Sequence, residues 1–138
     1  MSWEGNGESH PLEESSHSNQ VMQLVSSGSE FISAGMDDTV KVTDISSKNV
    51  AIISTSALPR GISTSDDKTI VVATENEIQV IQGGKKVDSL VVGYNATSVA
   101  INQQGTIVAI GAQVCYFFSL HGIQNCHPCT ATFLIKNL

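Results

Sequence analysis

Two small groups of residues have side chains of the right types for chemistry. The first is His17, Ser33 and Asp37. An imidazole, a hydroxyl and a carboxylate are the set that a serine hydrolase uses as base, nucleophile and orienting acid. The second is Cys126-His127-Pro128-Cys129, a CxxC pair of the kind that holds zinc or exchanges thiols. Neither group has the rest of what such chemistry requires. No nucleophile elbow and no oxyanion-hole glycine motif accompanies Ser33. A structural zinc site takes four ligands, and only His121, His127 and the remote Cys115 are left to complete one. His127, lodged between the two cysteines, is badly placed to share their metal. A thioredoxin-like CxxC opens a helix, whereas the stretch after Cys126 holds Pro128 and β-branched residues and reads as strand. Asp66-Asp67 and Glu75-Asn76-Glu77 read as solvated acidic turns, and there is no phosphate loop or EF-hand loop. The expectation is a protein that is not an enzyme, with no catalytic residues, no metal and no cofactor.

The elements that carry these residues recur with a spacing of about 37–39 residues. Alternating apolar segments at Val21–Val25, Gly61–Thr64 and Thr97–Ile101 each lead into a polar turn. A β-branched run follows each turn, at Phe31–Ala34, Ile70–Thr74 and Ile107–Ile110. A second run closes each unit at Val40–Asp44, Ile78–Gln82 and Val114–Leu120. Asn49–Ser54 and Val87–Val92 read as wetter outer strands, and Gln82-Gly83-Gly84-Lys85 is the strongest hairpin signal, because paired glycines accept the positive φ of such turns. Short strands at this period are the signature of β-propeller blades. The expected fold is all-β: about three consecutive four-stranded antiparallel blades over 17–120 (17–54, 58–92 and 96–120), not closed into a ring. Residues 1–16 read as a flexible acidic segment in which Trp3 stands out, and 121–138 as a divergent tail in which Ala131–Ile135 has the pattern of one more strand.

Composition narrows the partners. Seven Lys and Arg against thirteen Asp and Glu give a net charge of −6. Nucleic-acid binders concentrate cations to neutralise phosphates, and polybasic membrane anchors do the same for lipid headgroups, so neither partner is expected. The run Thr106–Leu120 is shorter than a spanning helix needs and carries Gly111-Ala112-Gln113 in its middle; two adjacent buried strands explain it better. Met1-Ser2-Trp3-Glu4-Gly5 has neither the basic stretch nor the apolar segment of a secretory signal, and three cysteines do not suggest a disulfide framework. The expected compartment is the cytoplasm, and Asn95-Ala96-Thr97 is read as an incidental sequon.

The string Ser33-Ala34-Gly35-Met36-Asp37-Asp38-Thr39-Val40-Lys41-Val42-Thr43-Asp44 resembles the closing half of a WD repeat, and His17-Ser18-Asn19-Gln20-Val21 resembles the opening half. In that family a His, a Ser or Thr and an Asp form a buried structural hydrogen-bond network. The resemblance assigns those places to His17, Ser33 and Asp37. The family's third-strand Trp is replaced by Thr43, and the second and third units carry Val72 with Asn76 and Ala109 with Gln113 at the matching places. More finely, Phe31–Val40, Gly93-Tyr94, Val99–Ile101 and Gly105–Gly111 are similar in order and spacing to the actin-interacting protein 1 family of WD-repeat proteins, at the early blades of its second propeller. That resemblance implies actin filaments and cofilin as partners, filament disassembly as the function, the actin cytoskeleton as the location, and further blades to complete the ring. A scaffold with a partner other than actin is the alternative. No residue here matches a known partner contact.

Overall fold

Consecutive side chains of an extended strand leave on opposite faces. A strand can be apolar at every position only where both faces are covered. Ile70–Ala73 is such a strand, with all four residues buried. The computed structural model, which describes residues 12–112, 117–119, 122–124 and 132–135, shows what covers them.

Two antiparallel four-stranded meanders follow one another. The first is β1 (Val21–Ser27), β2 (Glu30–Gly35), β3 (Thr39–Asp44) and β4 (Asn49–Ser54), lying side by side in that order. The second is β5 (Gly61–Thr64), β6 (Ile70–Ala73), β7 (Glu77–Gln82) and β8 (Lys85–Val91), again in order. Gly83 and Gly84 form the two-residue turn between β7 and β8 with φ of 56° and 75°, the left-handed geometry that matches strand twist. Among the described residues the sheets do not close into a ring, and no helix is long and apolar enough to cross a membrane.

The third unit departs from the expected plan. β9 (Ala96–Ile101) and β10 (Ile107–Ala112) pair as their counterparts do. Of the run Val114–Leu120 only 117–119 is described, and that part is not a strand of this sheet. It forms β11 (Phe117–Ser119), which pairs instead with β12 (Gly122–Gln124). The free edge of β10 is taken by β13 (Thr132–Ile135), with Ile107 opposite Ile135 and Ile110 opposite Thr132. The result is a three-stranded sheet, not a four-stranded blade confined to 96–120. Two apolar extended runs compete for one edge, and alternation does not say which of them pairs with it. Of the segment 1–16, only residues 12–16 are described, and Glu13–Ser15 forms a 3-10 turn.

Each sheet packs on the next through its alternate residues. Ile70 and Val72 join Ile32, Ala34, Val40, Ile53, Ile62 and Ile81 between the first and second sheets. Val71 and Ala73 join a second cluster that includes Ile78, Val80, Val99, Val108 and Ile110. Each fully buried Val or Ile stabilises the packing by about 1.5–3 kcal/mol. Polar bonds then stitch the sheets together at the repeat spacing. The Ile62 amide donates to Gln23 Oε1 at 2.9 Å, 39 residues away. The Ile101 amide donates to Ser63 Oγ at 3.2 Å, 38 residues away. Lys68 Nζ reaches Glu30 Oε1 at 3.1 Å, 38 residues away.

Inner strands β5 and β9 come close at Gly61, where an added Cβ would stand 3.1 Å from Ser98 Cα and 3.2 Å from Val99 N. Gly61→Val should push β5 and β9 apart and cost about 1–3 kcal/mol, seen as a lower urea midpoint. An unchanged midpoint would show that these two strands are not in contact.

Candidate functional site

Alternation along β2 sends Ile32 and Ala34 into the core and leaves Ser33 on the opposite face. The turn Met36–Asp38 between β2 and β3 lifts Asp37 above the same end of the sheet, and His17 comes in from the segment ahead of β1. The three meet. His17 Nδ1 lies 2.9 Å from Asp37 Oδ1, and His17 Nε2 lies 2.7 Å from Ser33 Oγ. An ionised carboxylate only accepts, so the Nδ1 hydrogen points at Asp37. Thr39 Oγ1 donates to the same Oδ1 at 2.7 Å, and the Ser18 amide donates to Oδ2 at 3.0 Å. Burial alone would raise the Asp37 carboxyl, but the Thr39 hydroxyl, the His17 ring and the Ser18 amide outweigh it and hold it well below the usual carboxylate range. The His17 side chain is 2% exposed.

These distances are also those of a hydrolytic triad, so the surroundings of Ser33 decide what the arrangement can do. A nucleophilic serine needs free backbone amides nearby to hold the oxyanion. Ser33 sits mid-strand, opposite Leu24 on one side and Lys41 on the other. The amides around it belong to those two ladders, and no strained turn presents its hydroxyl. The bonds instead join three separate pieces of chain: the lead-in to β1, strand β2 and the β2–β3 turn. Thr43, at the place of the family's Trp, is buried at 5% exposure.

Strand register shows a second network that sequence reading missed. Val72 and Gln79 are opposite each other on β6 and β7 as Ser33 and Lys41 are on β2 and β3. Val72 has joined the apolar core, as its type requires. The polar role passes to neighbouring places. Ser56 Oγ donates to Glu77 Oε2, and Gln79 Nε2 donates to Ser56 Oγ at 2.8 Å and to Glu77 Oε2 at 3.2 Å. Lys86 Nζ donates to Glu77 Oε1 at 2.8 Å. The Lys86 ammonium and the Ser56 hydroxyl hold the Glu77 carboxyl at about 2. Ser56 follows His17 by 39 positions and Glu77 follows Thr39 by 38; that coincidence with the repeat was the available signal. In the third unit Gln113 lies outside the described residues, as do Trp3, Cys115, His121, Cys126, His127 and Cys129. Among the described residues no three His, Cys, Asp or Glu side chains group as metal ligands.

Gly35 lines the first network so closely that a Cβ there would overlap the His17 ring and the Asp37 carboxylate. Gly35→Ala should cost about 1–3 kcal/mol, measured by urea unfolding, and no loss would show that the network is not packed against that backbone. A pH effect follows from the two carboxyls. Both titrate lower in the folded chain than their ordinary values near 3.8 and 4.5. Their stabilisation is therefore complete above about pH 5 and is lost as pH falls from there toward about 2. Asp37→Asn should flatten that dependence between pH 5 and pH 3, and a slope equal to that of the unchanged chain would contradict it.

No protein-family model matches the chain. Sequence relatives do. An uncharacterised WD repeat-containing protein of Schizosaccharomyces pombe is 30% identical over 133 residues, covering 94% of this chain and 22% of that protein. A 66 kDa stress protein of Physarum polycephalum is 30% identical over 117 residues, covering 81% and 20%. Actin-interacting protein 1 of Drosophila melanogaster is 25% identical over 123 residues, covering 86% and 20%. The chain thus spans about a fifth of the length of these relatives. Among solved structures, the WD40 β-propeller domain of Doa1 aligns with a TM-score of 0.62 at 18% identity, over 70% of this chain and 34% of that one. A chain of Kuenenia stuttgartiensis hydrazine synthase aligns at 0.61 and 14% identity, over 70% and 31%. At such identities the likeness concerns the fold alone, and one fold serves unrelated functions. The stacked meanders and the propeller neighbour together identify the fold as a run of β-propeller blades, and the sequence is similar to parts of WD-repeat proteins, actin-interacting protein 1 among them.

Proposed function

We propose that this chain is part of a non-enzymatic factor that binds actin filaments and promotes their disassembly together with cofilin, in the cytoplasm and on the actin cytoskeleton. One observation carries the reading: 86% of the chain aligns with a protein whose name states that it interacts with actin. The stacked sheets suit the role. Rigid blades hold their connecting loops in fixed positions, and loops on a rigid frame are where protein-binding surfaces are built. On this reading the units 17–54 and 58–92 are single blades, further blades of a longer ring are partners of the open sheet faces, and His17, Ser33 and Asp37 fasten the first blade internally.

The test is co-sedimentation of the purified chain with actin filaments, with and without cofilin. The reading expects the chain in the filament pellet and faster filament loss when cofilin is present. A folded chain that stays in the supernatant in both cases, and leaves the disassembly rate unchanged, overturns it and favours a WD-repeat scaffold with another protein partner.

A further inference from the structure

The first sheet has a face that no other sheet covers among the described residues. Strand register identifies its counterpart in the second sheet. Leu24, Phe31, Ser33, Lys41 and Thr43 correspond to Ile62, Ile70, Val72, Gln79 and Ile81. The second set is packed against the first sheet, with Ile62 and Ile70 at 1% and 5% exposure. In the first set Leu24 is 59% exposed and Phe31 is 42% exposed. Polar residues stand at three of the five places, and Lys41 is nonetheless buried at 8% exposure.

What buries Lys41 is the chain's own lead-in. Leu12–Ser16 lies over this face and is folded upon itself, the Ser15 amide and hydroxyl both donating to the Leu12 carbonyl at 2.9 and 2.7 Å. Lys41 Nζ donates to Glu14 O at 2.9 Å and to Ser16 O at 2.7 Å. A helical turn leaves its last carbonyls without intrahelical donors, and a lysine is a suitable cap for them. A buried ammonium in turn needs acceptors. Each side supplies what the other lacks. Beside this contact, Leu12, Ser15 and Ser16 form one wall of a groove whose other wall includes Leu24, Phe31 and Ile45.

We propose that Leu12–Ser16 is a latched strap, a detachable cover over the outer face of the first sheet, with Lys41 as the latch. Among the described residues its hydrogen bonds to the sheet are the two from Lys41, and its single internal turn, closed on the Leu12 carbonyl, is too short to hold without the sheet. Release therefore breaks few contacts and leaves the two apolar clusters intact. It uncovers a sheet face whose counterpart one repeat later is packed against a neighbouring sheet.

Hydrogen–deuterium exchange tests this. Lys41→Met keeps the stem and removes the donors. The Ser15 amide should then exchange at least about tenfold faster, as expected from losing two charge-assisted bonds, with the Ser18 amide, which Asp37 holds, and the β6 and β7 amides unchanged. Lys41→Arg, which keeps the charge and the donors, should restore most of the protection. Unchanged exchange of the Ser15 amide in Lys41→Met, with β6 and β7 still protected, overturns the proposal. If Lys41→Met loses the fold entirely, the unaltered chain decides: a Ser15 amide exchanging as fast as in an unstructured peptide overturns it, and measurable protection there supports it.

Discussion

The structure depends on one geometric constraint: neighbours in a strand point to opposite faces. When such a strand is apolar throughout, as β6 is, its sheet cannot stand alone. Val71 and Val72 are adjacent in sequence yet belong to different cores. Each core requires a sheet on its far side, so the second sheet calls for both the first and the third. The stitches from Gln23 to Ile62 and from Ser63 to Ile101 follow from that stacking. Once the sheets lie repeat on repeat, an amide of one inner strand faces a side chain of the preceding one.

The polar networks answer a different demand. The lead-in to each inner strand crosses the end of the sheet and brings backbone and side-chain polar groups into a partly buried place, where they need partners. The first sheet meets this with a histidine on the lead-in and an aspartate in the turn. The second meets it with a serine on the lead-in and a glutamate at the first residue of β7. Moving the acid from turn to strand leaves Val72 free to join the core, where a serine like Ser33 would leave an apolar gap. The two sheets thus solve one problem with different residues. The hydrolase-like distances around His17 meet the requirements of a buried carboxylate, and the strand positions flanking Ser33 are engaged in its two ladders.

The legible parts of the fold were those where local chemistry and long-range burial agree. Gly83-Gly84 dictates its own turn, Ile70–Ala73 announces coverage on both faces, and the strands of the first two units lie close to where alternation placed them. His17, Ser33 and Asp37 could be singled out because their types and spacing follow a known pattern, and the structure brings them within hydrogen-bond distance. The Ser56–Glu77–Gln79 network was not legible by type, since each residue alone is an ordinary surface residue. Only the repeat spacing links them to the first network. The edge of β10 was not legible either. Val114–Leu120 and Ala131–Ile135 both read as apolar strands, and alternation alone does not choose between them. Lys41 reads as an exposed lysine between two valines, and its burial is visible only once the lead-in is seen to lie over it.

Whether adjacent β6 side chains truly enter separate cores is open to direct measurement by methyl NOE spectroscopy on selectively labelled protein. Stacked sheets predict that the Val72 methyl groups show NOEs to Ile32, Ile53 or Ile81, and that the Val71 methyl groups show them to Val99, Val108 or Ile110, with no exchange between the two sets. Both valines reporting the same neighbours would contradict the stacking, and with it the identification of successive propeller blades.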